Sequence, residues 1–126
     1  MNDNQRKVAF ITGGASGIGR TIALSFAKND YDVVFSYLGS ESGAKEVVSL
    51  IENYGKRALA IKADLSDYKS ISKMFEEFKK YFNRLDVFIN NAGVTEKSSF
   101  LETTEELFDK MCDVDFKGAY FRNRIA

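Results

Sequence analysis

The sequence predicts an α/β protein: a doubly wound parallel sheet of about four strands, in the order 3-2-1-4, with helices on both faces. Three observations predict it. Short apolar runs alternate with amphipathic stretches four times along the 126 residues. The runs near the start are continuously apolar, as strands covered on both faces are. The first run ends in a glycine turn, Gly13-x-x-x-Gly17-x-Gly19, which opens the first amphipathic stretch. Right-handed crossovers leave few topologies for such a chain.

Each element has its own signal. Residues 1–6 are polar and expected to fray. Val8–Thr12 is the first strand. From Ile18, apolar residues recur at helical spacing (Ile22, Ala23, Phe26, Ala27), and that helix should end near Asn29-Asp30. Asp32–Tyr37 is the second strand, broken by Gly39-Ser40-Glu41-Ser42. Ala44, Val47, Val48, Ile51 and Tyr54 form a second stripe, closed by Gly55. Arg57–Lys62 is the third strand. Ser66 is expected to cap the third helix, whose stripe is Ile71, Met74, Phe75, Phe78 and Phe82. Leu85–Asn90 is the fourth strand, and 93–102 a polar loop. Thr103 and Glu106 resemble a capping box. Leu107, Met111, Val114, Tyr120 and Phe121 then continue a helical pattern, with a break near Asp113. No linker or low-complexity stretch interrupts residues 1–126, which read as one domain.

Composition narrows the function. With 18 basic and 18 acidic residues and no basic tract of five or more, nucleic acid and anionic membranes are not expected partners. One cysteine, Cys112, permits no internal disulfide and fits a reducing compartment. With no histidine beside it, no metal site is expected. No apolar run approaches spanning length, and the polar start lacks the apolar segment of a signal peptide, so cytoplasm is the expected location.

In such a sheet a ligand binds at the carboxyl ends of the strands, where the order reverses. Here that crevice lies between strands 1 and 4. The two most distinctive motifs, Thr12–Gly19 and Asn90-Asn91-Ala92-Gly93, follow those two strands. Gly13 should permit the turn, Gly17 close approach of a phosphate, and Gly19 close packing of helix on strand. The helix N-terminus then offers N–H groups to an anion, read as the pyrophosphate of a dinucleotide. The plainer reading is a bare strand-to-helix turn. No lysine followed by Ser/Thr closes the loop, which disfavours a nucleoside-triphosphate P-loop.

Thr12-Gly13-x-x-x-Gly17-x-Gly19 together with Asn90-Asn91-Ala92-Gly93 resembles the short-chain dehydrogenase/reductase family. Ala63-Asp64-Leu65 after strand 3 and Leu85-Asp86-Val87 before the asparagine motif match as well. The similarity runs across essentially the whole chain. It looks closest to the branch of 3-oxoacyl-(acyl-carrier-protein) reductases and glucose dehydrogenases, on Tyr37, the Gly55 position and the spacing. The resemblance implies a Rossmann-type fold and hydride transfer between a nicotinamide and a carbonyl or alcohol. It implies a pyrophosphate cradle of Gly13, Ser16, Gly17, Ile18 and Gly19. Asp64 would accept from the adenine amino group, with Leu65 beside the ring. Asn91, Ala92 and Gly93 would line the ribose and nicotinamide side. The plainer roles are a helix-flanking turn for Asp64 and strand-end pairing for Asn90 and Asn91.

Cofactor choice falls near the end of strand 2. Ser36-Tyr37-Leu38-Gly39-Ser40 holds no acid before Glu41, and no base. Without an acid to repel a 2′-phosphate, the site leans to NADP(H), bordered by Tyr37, with Ser40 and backbone N–H groups to hold the phosphate. Arg20, a weaker alternative for holding the phosphate, is expected on the helix exterior.

The resemblance also implies a tyrosine acid/base, a lysine four positions later and a serine, placed after the fifth strand. No Tyr-x-x-x-Lys occurs: Tyr68 precedes Lys69, Tyr81 leads to Leu85, and Tyr120 leads to Arg124. Arginine stays protonated and is a poor substitute in a proton relay. At the family's Asn-x-x-Gly the chain reads Asp115-Phe116-Lys117-Gly118. Asp115, expected on a helix, keeps the shape but loses two donors and gains a charge. It reads evenly as a catalytic vestige or as a polar residue at a kink. Asn83 stands at a common glycine position, and Met111 and Cys112 look like core. Family members are about twice this length. The expectation is therefore a truncated N-terminal half that keeps the cofactor side, lacks Ser/Tyr-x-x-x-Lys and is inactive alone. A non-catalytic dinucleotide-binding module and a structural remnant are the alternatives. Strand 4 would be left as an exposed apolar edge. Full-length relatives are expected to be homo-oligomers.

Overall fold

The computed structural model describes residues 6–91 and 115–122. The elements are β1 (Val8–Thr12), α1 (Gly17–Lys28), β2 (Asp32–Tyr37), α2 (Glu41–Asn53), β3 (Ala58–Lys62), α3 (Tyr68–Tyr81), β4 (Arg84–Asn90) and β5 (Asp115–Arg122). The sheet order is β3-β2-β1-β4-β5, and every pairing is parallel. The expected order 3-2-1-4 is therefore present, with one further strand beside β4.

Successive residues of a strand point to opposite faces, and β1 divides two cores accordingly. Val8 and Phe10 join Val34, Phe88 and the α3 residues Ile71, Met74, Phe75 and Phe78 on one face. Ala9 and Ile11 join Val33 and Phe35 with Ala23 and Ala27 of α1 and Val47 and Ile51 of α2 on the other. Phe10 lies at the centre of the first core, with ring centroids 5.3 to 5.8 Å from Phe75, Phe78 and Phe88. Among the residues of α1 that face β1, Ala23 and Ala27 are small and fully buried.

The expected helix is replaced by a strand over Asp115–Arg122, which pairs with β4 from Arg84↔Asp115 to Asn90↔Arg122 across a register irregularity. Strand 4 is consequently not an exposed edge. The spacing of Val114, Tyr120 and Phe121 fits a helix, but Phe116, Tyr120 and Phe121 also favour a strand. The outward N–H and C=O row of β4 settles the competition by pairing.

Smaller boundaries also differ. Asp67, not Ser66, is the N-cap of α3 and accepts from Lys69 N. Tyr54 is 42% exposed at the C-cap of α2 rather than part of its buried stripe. Phe82 is buried but lies just past α3. Asn83 does not take the left-handed turn; among described non-glycine residues Asp30 does, at φ 72°. The loop 93–102, Thr103 and Glu106, and the residues Leu107, Met111, Cys112, Asp113 and Val114 lie outside the described residues.

Candidate functional site

The site is built where β1 ends. Gly13 (φ 70°) and Gly17 (φ 59°) both adopt the left-handed region that a side chain disfavours, so the chain reverses and enters α1 within five residues. Gly19 answers a different demand: a Cβ there would stand 1.9 Å from Gly13 O and 2.6 Å from Asn91 Nδ2. The first turn of α1 therefore sits directly on the turn that precedes it. At Gly17 a Cβ would meet nothing within 4 Å, so space opens above this point.

Ser16 occupies the N-cap with extended backbone (φ −153°, ψ 165°), but its side chain makes no cap bond. The first turn of α1 contains no acid, and Ser16, Gly17 and Ile18 are exposed. The first N–H groups of a helix have no intrahelical acceptor, and here no side chain of the N-cap takes one. The positive end of the helix thus faces an open surface suited to an anion.

Two buried hydroxyls hold this turn, and sequence reasoning gave neither a role. Thr12 Oγ1 donates to Asn90 Oδ1 (3.0 Å) and accepts from Asn91 N (2.9 Å), tying the carboxyl ends of β1 and β4 together. Asn91 Nδ2 donates to Gly13 O (3.4 Å). Ser36 Oγ accepts from Gly13 N (3.2 Å), and Ser36 O accepts from Gly14 N (3.0 Å). The signal was available: each is a small hydroxyl near the end of a strand whose middle is apolar, and both are buried. The asparagine motif and the glycine turn, convergent in sequence, are thus in direct contact. Ala92 and Gly93 lie outside the described residues.

The residues expected to border the adenine and ribose lie at the ends of β2 and β3. Tyr37 is half-buried and Ser40 exposed; Ser40 Oγ accepts from Gly43 N (3.2 Å) as the N-cap of α2. The hydroxyl keeps its proton to donate. Glu41 faces Lys62 Nζ (3.4 Å), and Arg20 pairs with Glu46 on α2, as an exterior position allows.

Asp64 is exposed and closes a local turn: its Oδ1 accepts from Ser66 Oγ (2.7 Å) and Ser66 N (3.0 Å). The Ser66 hydroxyl first, then the Ser66 N–H, holds the carboxyl below its ordinary range. The helix-flanking role is therefore real, and Oδ2 remains to accept from a ligand. Leu65 beside it is half-buried against the α3 core. Since the folded-state pKa is depressed, the contribution is present above the unfolded pKa and is lost as pH falls through the folded one. Ser66→Ala should raise the Asp64 carboxyl titration in an NMR pH series; an unmoved midpoint would contradict this account.

Asp115 is at the other end of the sheet. It is the first residue of β5 and partners Arg84, whereas the glycine turn follows the last residue of β1, level with Asn90. The structure does not bring Asp115 to Gly13–Gly19. Among the described residues no group of histidine, cysteine, aspartate and glutamate could hold a metal, and no helix is long and apolar enough to cross a membrane.

Comparison with known proteins agrees with this geometry. A family model for short chain dehydrogenases matches residues 7–125. A hydroxynaphthalene reductase-like protein of Metarhizium robertsii is 38% identical over 115 residues, covering 91% of this chain and 43% of the relative. A 3-oxoacyl-(acyl-carrier-protein) reductase of Staphylococcus aureus is 37% identical over 114 residues, covering 90% of this chain and 46% of the relative. Among solved structures, a dehydrogenase of Burkholderia cenocepacia with bound NADP superposes with a TM-score of 0.65 at 31% identity, over 68% of this chain and 33% of that one. The chain spans less than half the length of the curated relatives it matches.

Proposed function

We propose that this chain, which belongs to the short-chain dehydrogenase family, is the dinucleotide-holding half of an NAD(P)-dependent oxidoreductase and performs no turnover by itself. The observation that carries the reading is the open N-terminus of α1, uncapped by Ser16 and roofed by empty space at Gly17. A pyrophosphate there would accept from the first-turn N–H groups of α1. Thr12 and Ser36 keep that cradle rigid from below, so no reorganisation is needed on binding. The bound nicotinamide would supply or accept the hydride.

NADP(H) is the favoured cofactor. Ser36 to Ser40 places no carboxylate beside the ribose, and Glu41, the first acid, is turned toward Lys62. The Ser40 hydroxyl and the N-terminus of α2 would serve a 2′-phosphate. The NADP bound to the Burkholderia cenocepacia relative is consistent with this preference. The 126 residues contain no Tyr-x-x-x-Lys, so the acid/base pair of the reaction is not supplied by them. A cytoplasmic setting, with its supply of dinucleotide and its reduced thiols, is proposed for the single cysteine.

Titrating NADPH fluorescence against the purified chain tests the reading. Saturable binding is expected, and Gly17→Glu should weaken it at least about ten-fold by placing a carboxylate over the helix N-terminus. Residue 17 at φ 59° adds about 1–2 kcal/mol of backbone strain in the variant, so its melt must be checked alongside. No saturable signal in the wild-type chain removes the cofactor reading and leaves a structural remnant. Steady-state assays with NADPH and a panel of ketones should show no rate; turnover that tracks the purified chain would refute the non-catalytic assignment.

A further inference from the structure

The first turn of α2 carries a residue that helix formation does not ask for. Ser40 is the N-cap, and Gly43 stands where a capping box would place Glu or Gln. Glycine is a poor helix former, and Gly43 is not among the glycines with positive φ, so neither propensity nor backbone angle calls for it. Space does. A Cβ on Gly43 would stand 2.5 Å from Ser40 Oγ, 3.4 Å from Ser40 Cβ and 3.1 Å from Ala15 O.

Two neighbours thus close on one bare Cα. Ala15 belongs to the glycine turn after β1 and is buried. Its carbonyl oxygen lies against Gly43, so the first turn of α2 rests on the turn that would cradle a pyrophosphate. Arg20 of α1 and Glu46 of α2 tie the same two helices together. Ser40 Oγ accepts from Gly43 N (3.2 Å), and Ser40 O accepts from Ala44 N (2.9 Å). The first of these bonds fixes the rotamer of an exposed side chain and leaves its O–H to donate. The two neighbours yield differently to a methyl on residue 43. Ser40 Oγ is the end of a flexible side chain and clears the methyl by changing rotamer, which gives up the bond to Gly43 N. Ala15 O, the more distant of the two, has only a few tenths of an ångström to give.

We propose that Gly43 is a positioning residue for NADP(H): its missing side chain keeps the Ser40 hydroxyl in the capping rotamer, from which the O–H is offered to the 2′-phosphate of the cofactor. The inference rests on the dinucleotide reading and names what sets its phosphate preference. A phosphate accepts from a hydroxyl in a short, charge-assisted bond, and the free 2′-hydroxyl of NAD(H) gains far less. Gly43→Ala therefore acts on one cofactor and spares the other. Its effect on the fold is small, because the lost cap bond lowers stability and the better helix former raises it by a similar amount. The two cofactors separate positioning from mere structure: damage to the docking of α2 would weaken both alike.

Titration calorimetry of the whole chain with NADPH and with NADH, beside thermal melts, tests it. The wild type is expected to bind NADPH about ten-fold more tightly than NADH. Gly43→Ala should weaken NADPH about ten-fold, leave NADH within about two-fold, and melt within about 3 °C of the wild type. Ser40→Ala should weaken NADPH by the same factor, and the double variant should bind it no more weakly than Ser40→Ala alone, since both changes remove one bond. An unchanged NADPH-to-NADH ratio in Gly43→Ala would overturn the proposal, as would an equal loss for both dinucleotides or additive losses in the double variant. A Gly43→Ala chain that does not fold would place the governing contact at Ala15 O and overturn it too. A wild-type chain that binds neither dinucleotide fails the cofactor reading itself, and the inference falls with it. A wild type that binds both, with the ratio untouched in Gly43→Ala, removes the inference and leaves the cofactor reading standing.

Discussion

Gly19→Ala is expected to destabilise the fold by about 3 kcal/mol, seen as a drop of about 2 M in the urea midpoint for a slope near 1.5 kcal/mol/M. The added methyl would lie 1.9 Å from Gly13 O and 2.8 Å from Gly13 C, both backbone atoms of a turn fixed from below by Ser36. It would also lie 2.6 Å from Asn91 Nδ2, whose residue is itself buried. No flexible side-chain tip is available to absorb the clash, so α1 must lift from the carboxyl end of β1. That movement also breaks the Asn91 to Gly13 hydrogen bond and displaces the helix N-terminus, so dinucleotide binding should fall with stability. Gly17→Ala is the matched contrast. Its Cβ meets nothing within 4 Å, and only the left-handed backbone at φ 59° opposes it, for about 1–2 kcal/mol. A Gly19→Ala midpoint within error of Gly17→Ala would refute the close-approach account.

Why Gly19 was legible in the sequence and other parts of the site were not comes down to what residue type encodes. A glycine that must admit a carbonyl at contact distance has no substitute, so the spacing of Gly13, Gly17 and Gly19 announces the turn directly. The sheet order followed from where that turn lies in the alternation of strands. Ser36 and Thr12 gave weaker signals, because a hydroxyl in a strand is equally at home facing water; only the register that sets Thr12 beside Asn90 makes it a tie between strands. At the start of α3, Ser66 and Asp67 are both good caps one residue apart. Asp64 decides between them by engaging the Ser66 hydroxyl, a local interaction that a cap preference does not weigh. The stretch Asp115–Arg122 was misread for a nonlocal reason. Its own periodicity admits a helix, and the deciding partner, the outer edge of β4, is more than 20 residues earlier in the chain.

Thr12→Val should lower stability by about 2–6 kcal/mol, whereas Thr12→Ser should cost about 1 kcal/mol for a lost methyl. Thr12 is fully buried, and valine matches its shape, so the difference isolates the hydroxyl. That hydroxyl gives a proton to Asn90 Oδ1 and takes one from Asn91 N, and valine removes both bonds while keeping both groups buried. Each loss leaves a polar group short of a bond in a place where water does not replace it, at about 1–3 kcal/mol apiece. The effect reaches function through geometry. The ends of β1 and β4 are the two walls of the crevice, and Thr12 is the bond that sets their separation at the level of the glycine turn. Without it, Asn91 is no longer held against Gly13, and the cradle has to be ordered at the moment of binding rather than beforehand. The stabilisation of the melt by saturating NADPH should therefore shrink in Thr12→Val and persist in Thr12→Ser. Equal melts for the two variants would show that the methyl, not the hydroxyl, is what Thr12 contributes. A smaller stability with an unchanged NADPH shift would confine the hydroxyl to the fold and leave the crevice to be held by Ser36 alone.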